Sequence, residues 1–187
     1  MFNLNDNLKN KKFLIYGYGK SGQASFNYLK KNNKILIYDD NKKVKKFSIS
    51  IKKIRKIEFD YIILSPGIDI NKCKLKDYLK KNKRKIVTDL DIFQLNNPKN
   101  LKITITGTNG KSTTSKLLFK ILKDQKKDVK LIGNIGIPVL SKSNIKPSTI
   151  FVIEASSYQI DYSQFFKTDY AFILNIRPDH LERHKSI

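Results

Sequence analysis

The amino-acid sequence predicts an α/β fold made of two successive units, each built on a parallel sheet. Short runs of β-branched and other apolar residues alternate with longer amphipathic stretches along the 187 residues, which is typical of strand–helix repeats. The apolar runs lack polar alternation, as expected for strands that are covered on both faces of a parallel sheet. This alternation of strand-like and helix-like segments stops near residue 98 and then starts again, so the sequence predicts two units rather than one.

The first unit is predicted to contain three strands of ordinary length and a short fourth strand. The strands are expected at residues 12–16, 34–38, 60–65 and 86–88. Helices are expected at residues 21–31 and 74–81, and the fourth strand leads into a stretch at 89–95. Together these elements predict a first domain that spans residues 1–97.

The second unit follows a segment of turn residues without periodicity at 96–100, which is the natural place for a linker. Strands are expected at residues 101–106, 129–132, 149–154 and 169–175. One long amphipathic helix is expected at residues 111–124. These elements predict a second domain at residues 98–187 that lacks a closing element.

The composition excludes several classes of protein. Hydrophobic residues make up 40% of the chain, which is too much for a disordered protein. The one cysteine, Cys73, excludes a disulfide framework and a multi-cysteine zinc site. No apolar run approaches the roughly 18–20 residues needed to span a bilayer, and the first strand is not preceded by a signal peptide. We therefore expect a cytoplasmic protein with no membrane partner.

The positive charge allows two interpretations. Lysine and arginine number 38 against 16 acidic residues, which gives a formal net charge of +22 and would favour binding to any polyanion. However, the lysines are spread in pairs along whole segments, and no basic strip is interleaved with aromatic residues that could stack bases. We therefore expect a compositional bias on solvated faces and no specific nucleic-acid partner. A polyanion-binding protein is the alternative, and its binding would depend steeply on salt.

A glycine-rich loop follows the first strand and opens the first helix. It consists of Gly17, Tyr18, Gly19, Lys20, Ser21 and Gly22. This spacing allows a tight turn and a close backbone approach to a diphosphate at a helix N-terminus. Asp39 and Asp40 end the second strand about 20 residues later, where an acid can accept ribose hydroxyls. The motif predicts a Rossmann-like unit that binds a nucleotide diphosphate without specifying which one, and NAD is one possibility.

A second turn follows the third strand and ends at the same edge of the predicted sheet. Its residues are Ser65, Pro66, Gly67 and Ile68. Open α/β sheets bind ligands at the carboxyl ends of their strands, so this turn is a candidate part of the same site. By itself, Ser-Pro-Gly is equally consistent with a simple turn.

The strongest motif lies between the first strand and the helix of the second unit. It comprises Gly107, Thr108, Asn109, Gly110, Lys111, Ser112 and Thr113. Backbone N–H groups at a helix N-terminus can hold phosphates, with the lysine reaching the β- and γ-phosphates and the serine hydroxyl reaching Mg²⁺. Ile105 stands where the usual loop has its first glycine, so the loop is a variant. The motif predicts a truncated P-loop-type parallel α/β domain that binds ATP.

Three further segments follow predicted strands of the second unit. Asn134 lies in the segment 133–136, Glu154 ends the strand at 149–154, and Asp179 and His180 follow the last strand. A carboxylate at Glu154 could contact Mg²⁺ as a second protein ligand. Because these segments and the phosphate loop lie at one edge of one sheet, we expect them to form one site.

In combination, these motifs resemble those of the Mur ligase family. The segments that carry the resemblance are GTNGKST, GNIG, EASSYQ and LNxxPDHLxRH, and the resemblance covers essentially the whole chain. It implies an ATP- and Mg²⁺-dependent ligase of peptidoglycan synthesis that forms an amide bond through an acyl phosphate. The loop at 17–22, the turn at 65–68 and the pairing of 133–136 with 156–159 favour UDP-N-acetylmuramoyl-L-alanine and D-glutamate as substrates, with a monomeric enzyme expected.

The resemblance also implies roles for individual residues. The loop at 17–22, Asp39 and the turn at 65–67 would bind the UDP part of the nucleotide-sugar rather than NAD. The residues at 107–113 would bind ATP, and Asn134 would orient an ATP phosphate or the reacting carboxylate. The implied catalytic residues are Lys111, Glu154, His180 and Asn134, and the implied metal ligands are Ser112, Glu154 and His180.

One departure from the family pattern and three alternatives accompany this interpretation. The family has a C-terminal domain that helps to bind the amino acid, and this chain is expected to lack it and to be inactive alone. A related ligase, such as a folylpolyglutamate synthase or another Mur enzyme, would use the same phosphate loop. An NAD-dependent oxidoreductase would leave the loop at 107–112 unexplained, and the polyanion-binding protein is the third alternative.

Overall fold

The computed structural model describes residues 8–41, 44, 47–135, 137–141 and 144–178. Two four-stranded parallel sheets organise these residues, as the sequence predicts. The first sheet contains β1 (Lys12–Tyr16), β2 (Lys34–Tyr38), β3 (Tyr61–Leu64) and β4 (Ile86–Val87). The second contains β5 (Lys102–Thr106), β6 (Val129–Gly133), β7 (Ile150–Glu154) and β8 (Tyr170–Ile173).

Six α-helices connect these strands within the described residues. They are α1 (Lys20–Leu29), α2 (Ile51–Ile54), α3 (Lys76–Lys81), α4 (Asp89–Asn96), α5 (Lys111–Asp124) and α6 (Ser157–Tyr162). Single 3₁₀ turns occur at Lys83–Lys85 and Val139–Ser141. The short helices α2 and α6 are not among the predicted elements, whereas α5 has the predicted bounds. Within the described residues, no helix is both long and apolar enough to cross a bilayer.

The strand orders place a topological switch point in each sheet. The first sheet has the order β2-β1-β3-β4, so the chain leaves β1 and β3 in opposite directions. The second has the order β6-β7-β5-β8, so the chain leaves β5 and β7 in opposite directions. Ligands of open α/β sheets bind in the crevice that such a switch creates at the carboxyl ends of the strands.

The side chains of β1 alternate between two apolar clusters because successive residues of a strand face opposite sides of the sheet. Phe13 and Ile15 pack with α1 and α4, whereas Leu14 and Tyr16 pack with α2 and α3. Helices therefore cover both faces of the first sheet, which explains the apolar runs of its strands.

One apolar core continues from the first sheet into the second. Phe93 of α4 packs edge-to-face against Phe151 of β7, with ring centroids 4.8 Å apart. The cluster that contains Phe13 and Ile15 also contains Ile153 of β7. In the predicted linker, Asn100 is 8% exposed and donates from Nδ2 to the carbonyl oxygens of residues 146, 147 and 149 of the second unit. The apolar contacts of Phe93 with Phe151 join the two sheets, and the domain boundary near residue 98 stays a prediction.

Candidate functional site

The glycine-rich loop of the first unit is held together by close backbone packing. Gly17 has φ +94°, a conformation that favours glycine, and a Cβ atom there would lie 2.7 Å from Ser65 Cβ. The Ser65 hydroxyl donates to the carbonyl oxygen of Gly17 at 2.9 Å. A Cβ atom at Gly22 would lie 2.0 Å from that same carbonyl oxygen. The loop after β1 and the turn after β3 thus meet at the switch point of the first sheet.

Two other glycines of these segments have open surroundings. A Cβ atom at Gly19 or Gly67 would meet no atom of the described residues within 4 Å. Gly19 directly precedes α1, whose first N–H groups lack partners within the helix. The exposed backbone at Gly19 and Gly67 can therefore approach a diphosphate closely, and Lys20, exposed at the first position of α1, adds a positive charge.

The aspartates after β2 organise the loop. Asp39 Oδ2 accepts a hydrogen bond from the Tyr18 N–H at 2.6 Å, and its Oδ1 accepts from the Asn41 N–H at 2.9 Å. The Tyr16 and Tyr38 hydroxyls donate to the two oxygens of Asp40 at 2.8 Å and 3.2 Å. Burial and the Asp40 carboxylate raise the pKa of Tyr38 to about 12, so its hydroxyl keeps its proton and stays a donor. The role of Asp39 toward ribose stays a prediction.

The phosphate loop of the second unit is clamped against the segment after β8. The Thr108 N–H donates to the carbonyl oxygen of Asn175 at 3.0 Å. The Asn175 side chain accepts from the Asn109 N–H at 2.9 Å and donates to the Asn109 carbonyl oxygen at 3.0 Å. Gly107 has φ +136°, and a Cβ atom there would lie 3.0 Å from the carbonyl oxygen of Asn175. Asn175 therefore shapes the loop, a role that its place in the LNxxPDH segment could have indicated.

The lysine of the loop folds over the start of α5. Gly110 precedes the helix with φ +84°, and Lys111, Ser112 and Thr113 form its first turn, where N–H groups lack partners within the helix. Lys111 Nζ donates to the carbonyl oxygens of Gly107 and Thr108 at 2.6 Å and 2.9 Å. The ammonium group and these N–H groups are donors at a helix N-terminus, which is an arrangement that suits phosphate.

A buried carboxylate lies on the strand beside this loop. Glu154 is 1% exposed and pairs in register with Ile105 of β5, directly before the phosphate loop. Its Oε1 accepts from Asn134 Nδ2 at 3.2 Å, and its Oε2 is buried with no hydrogen-bond partner among the described residues. A buried carboxylate oxygen without a donor is costly unless it binds a cation, so this residue fits a Mg²⁺ ligand.

The remaining site predictions fall partly outside the described residues. Gly136, Asp179 and His180 lie outside them, so their predicted roles have no structural account. Among the described residues, no group of three histidine, cysteine or acidic side chains could hold a metal ion. Coordination of a metal by Ser112, Glu154 and His180 therefore stays a prediction.

Comparisons with known proteins agree with the fold and the motifs. Residues 105–187 match the family described as Mur ligase middle domain. A UDP-N-acetylmuramoylalanine–D-glutamate ligase of Caldicellulosiruptor bescii is 37% identical over 95% of this chain and 42% of its own length. A ligase of the same name from Rickettsia bellii is 38% identical over 92% of this chain and 40% of its own length. The chain thus spans about two fifths of the length of these relatives.

A solved structure supports the fold alone. It is the UDP-N-acetylmuramate:L-alanyl-gamma-D-glutamyl-meso-diaminopimelate ligase from Neisseria meningitides, with a TM-score of 0.56 and 15% sequence identity. The similarity covers 93% of this chain and 63% of that one. Both sheets of the present chain are therefore arranged in a fold that a larger ligase also uses.

Proposed function

We propose that the chain, whose residues 105–187 match the Mur ligase middle domain, is part of a Mur ligase, and that it forms the nucleotide-sugar-binding and ATP-binding parts of an enzyme that joins D-glutamate to UDP-N-acetylmuramoyl-L-alanine. The observation that carries the proposal is Glu154, which pairs in register with Ile105 on the strand that leads into the phosphate loop and whose buried Oε2 has no donor in the described part of the chain. The relatives named above support the choice of substrates. ATP is a cytoplasmic substrate, so the same proposal places the enzyme in the cytoplasm.

The proposed reaction consists of phosphoryl transfer followed by acyl transfer. The carboxylate of the L-alanyl group attacks the γ-phosphorus of ATP, which gives an acyl phosphate and releases ADP. The amine of D-glutamate then attacks the acyl carbon, and inorganic phosphate leaves with the C–O electron pair while the amine loses a proton. The protein has little covalent chemistry to do, so positioning and charge stabilisation supply the catalysis.

The residues of this chain would supply that stabilisation. The first step brings a carboxylate toward a polyphosphate, so negative charges must be offset at the site. Lys111 and the N–H groups of 111–113 would bind the β- and γ-phosphates, and Glu154 with Ser112 would hold Mg²⁺. Bound Mg²⁺ would neutralise charge on the phosphate oxygens. Asn134, which donates to Glu154, would keep that carboxylate oriented.

The first unit would bind the UDP part of the nucleotide-sugar. The open backbone at Gly19 and Gly67 supports close contact with the diphosphate. On this proposal the two sites would lie at the switch points of two sheets that share one apolar core.

Substitution of Lys111 tests the proposal. Lys111→Ala should weaken binding of the non-hydrolysable analogue MgAMP-PNP by about 10- to 100-fold, because it removes charge-assisted hydrogen bonds to phosphate. Isothermal titration calorimetry measures this, with Lys116→Ala on the exposed side of α5 as the control. UDP affinity should be the same in all three proteins, and NADH should not compete with UDP. Unchanged MgAMP-PNP binding by Lys111→Ala would contradict the proposal.

A further inference from the structure

Helix α6 begins three residues after Glu154, and its first turn has a fixed side-chain arrangement. Gln159 Oε1 accepts a hydrogen bond from the Ser156 N–H at 3.1 Å, and Ser156 Oγ accepts from the Gln159 N–H at 3.3 Å. This reciprocal pair is a capping box, which fixes the entry of the chain into the helix. The Gln159 side chain is therefore tied to the segment that carries Glu154.

The other end of the same side chain reaches the first unit. Gln159 Nε2 donates to Asp89 Oδ1 at 3.2 Å, and the two residues are 2% and 4% exposed. Asp89 is the first residue of α4, and the Ser21 side chain also interacts with its carboxyl group. Ser21 belongs to the glycine-rich loop. Buried side chains thus connect that loop, through Asp89 and Gln159, to the turn that follows Glu154.

A second contact links α6 to the other turn of the first site. The Tyr162 hydroxyl, in the last turn of α6, accepts a hydrogen bond from the Ile70 N–H at 3.4 Å. Ile70 lies three residues after Gly67. Helix α6 therefore contacts the surroundings of both segments that would bind UDP, and it starts beside the carboxylate of the other site.

The chemistry of this link is unusual for a purely structural contact. A buried carboxyl group in contact with neutral donors is unfavourable compared with apolar packing of the same volume. The adjacent contact between Phe93 and Phe151 joins the same two sheets with apolar side chains alone. A polar link, unlike an apolar one, has a direction and depends on the geometry of its partners.

We propose that Asp89 is a positioning residue that couples the two nucleotide sites, because it holds Gln159, and with it the Glu154 segment, in register with the glycine-rich loop. The proposal rests on the proposed function, since it requires UDP and MgATP to bind at the two loops. A ligand that orders the glycine-rich loop then favours the arrangement of Glu154 that binds MgATP. Coupling between sites is reciprocal, so MgATP raises the affinity for UDP by the same factor. One buried hydrogen-bond link supports a factor of about ten.

Calorimetry with both ligands tests the coupling. MgAMP-PNP is titrated into the 187-residue chain with and without saturating UDP, and UDP is titrated alone. We expect UDP to tighten MgAMP-PNP binding by about tenfold in the unaltered chain. In Asp89→Ala the factor should fall to about one, while each ligand alone should bind as in the unaltered chain. A coupling factor in Asp89→Ala equal to that of the unaltered chain would overturn the proposal, as would the absence of coupling in the unaltered chain.

Two further variants keep the test decisive. Gln164→Ala removes two other hydrogen bonds between the units, from Nε2 to the carbonyl oxygens of Lys83 and Ile86, and should keep the tenfold coupling. Gln159→Leu breaks the same link at its other residue. It is used in place of Asp89→Ala if circular dichroism shows that the Asp89→Ala protein is unfolded. Failure of UDP to bind the unaltered chain would refute the proposed function and the coupling together, whereas binding of both ligands without coupling would refute the coupling alone.

Discussion

Replacement of Gly22 with alanine should strongly destabilise the chain, because this glycine lies against the backbone of the glycine-rich loop. A Cβ atom at residue 22 would lie 2.0 Å from the carbonyl oxygen of Gly17, whereas real Cβ contacts essentially never fall below 3.0 Å. Helix α1 or the loop must therefore move by at least about 1 Å. Added atoms in a packed interior cost about 1–3 kcal/mol, and a rigid backbone neighbour favours the upper end. For a chain of this size, about 3 kcal/mol lowers the melting temperature by about 6–12 °C.

Gly19 provides the matched control, since it lies in the same loop and receives the same substitution. It has φ −77°, which alanine adopts freely, and its Cβ would meet no described atom within 4 Å. Gly19→Ala should leave the melting temperature unchanged or slightly higher, but it should weaken UDP binding because the methyl group occupies the diphosphate approach. Thermal unfolding followed by circular dichroism and UDP calorimetry measures both effects. A Gly22→Ala protein that melts within 2 °C of the unaltered chain would refute the packing argument.

Three other substitutions test the buried carboxylates. Glu154→Gln should weaken MgAMP-PNP binding by about tenfold or more. It should leave the free energy of unfolding in urea unchanged, because Oε2 lacks a described donor and Asn134 can still donate to Oε1. An equal weakening of AMP-PNP binding without Mg²⁺ would contradict this. Asp91→Ala should lower the free energy of unfolding by about 3 kcal/mol or more, because the N–H groups of residues 164–166 all donate to Asp91 Oδ1. A loss below about 1 kcal/mol in urea titrations would refute this expectation. Burial raises the pKa of Asp89 above its ordinary 3.8. Between pH 3.8 and the raised pKa, the unfolded chain has therefore lost a proton that the folded chain keeps. The contribution of Asp89 to the free energy of unfolding should therefore fall as pH rises from about 4, so the slope of that free energy against pH should be more negative in the unaltered chain than in Asp89→Asn. Equal slopes in urea titrations at stepped pH would contradict the assignment.

Strands and the long helix could be predicted because their signal is local. β1, β2 and α5 have the predicted bounds, and the other strands differ from the prediction by at most two residues at either end. Apolar runs bounded by turn residues mark such elements without knowledge of the tertiary structure. The four-residue α2 and the six-residue α6 are too short for periodicity to show. The Ser156 and Gln159 spacing is a capping-box signal that could have identified the start of α6.

The contacts between the units could not be predicted, because they depend on how two sheets pack. Asn97 and Asn100 have the composition of a solvated linker, yet they are both 8% exposed. Asp89 and Asp91 have the pattern of an ordinary acidic first helical turn, but in the structure they bind Gln159 and the 164–166 backbone. A partner some 70 positions away leaves no trace in local sequence, so the link between the two candidate sites is a result of the tertiary structure.

The glycine motif of the first unit illustrates why spacing alone leaves the ligand open. Gly17 and Gly22 are glycines because Ser65 and the loop backbone leave no room for a side chain, which any tight strand–helix turn of this kind requires. Among the glycines of these two turns, Gly19 and Gly67 keep their backbone accessible, and neither position distinguishes UDP from NAD. Discrimination must then come from residues that contact the base or sugar, and the Asp39 carboxylate already accepts two backbone N–H groups of its own surroundings. The same motif can thus serve either nucleotide. What it provides is open backbone at the start of α1, which a phosphate group can approach.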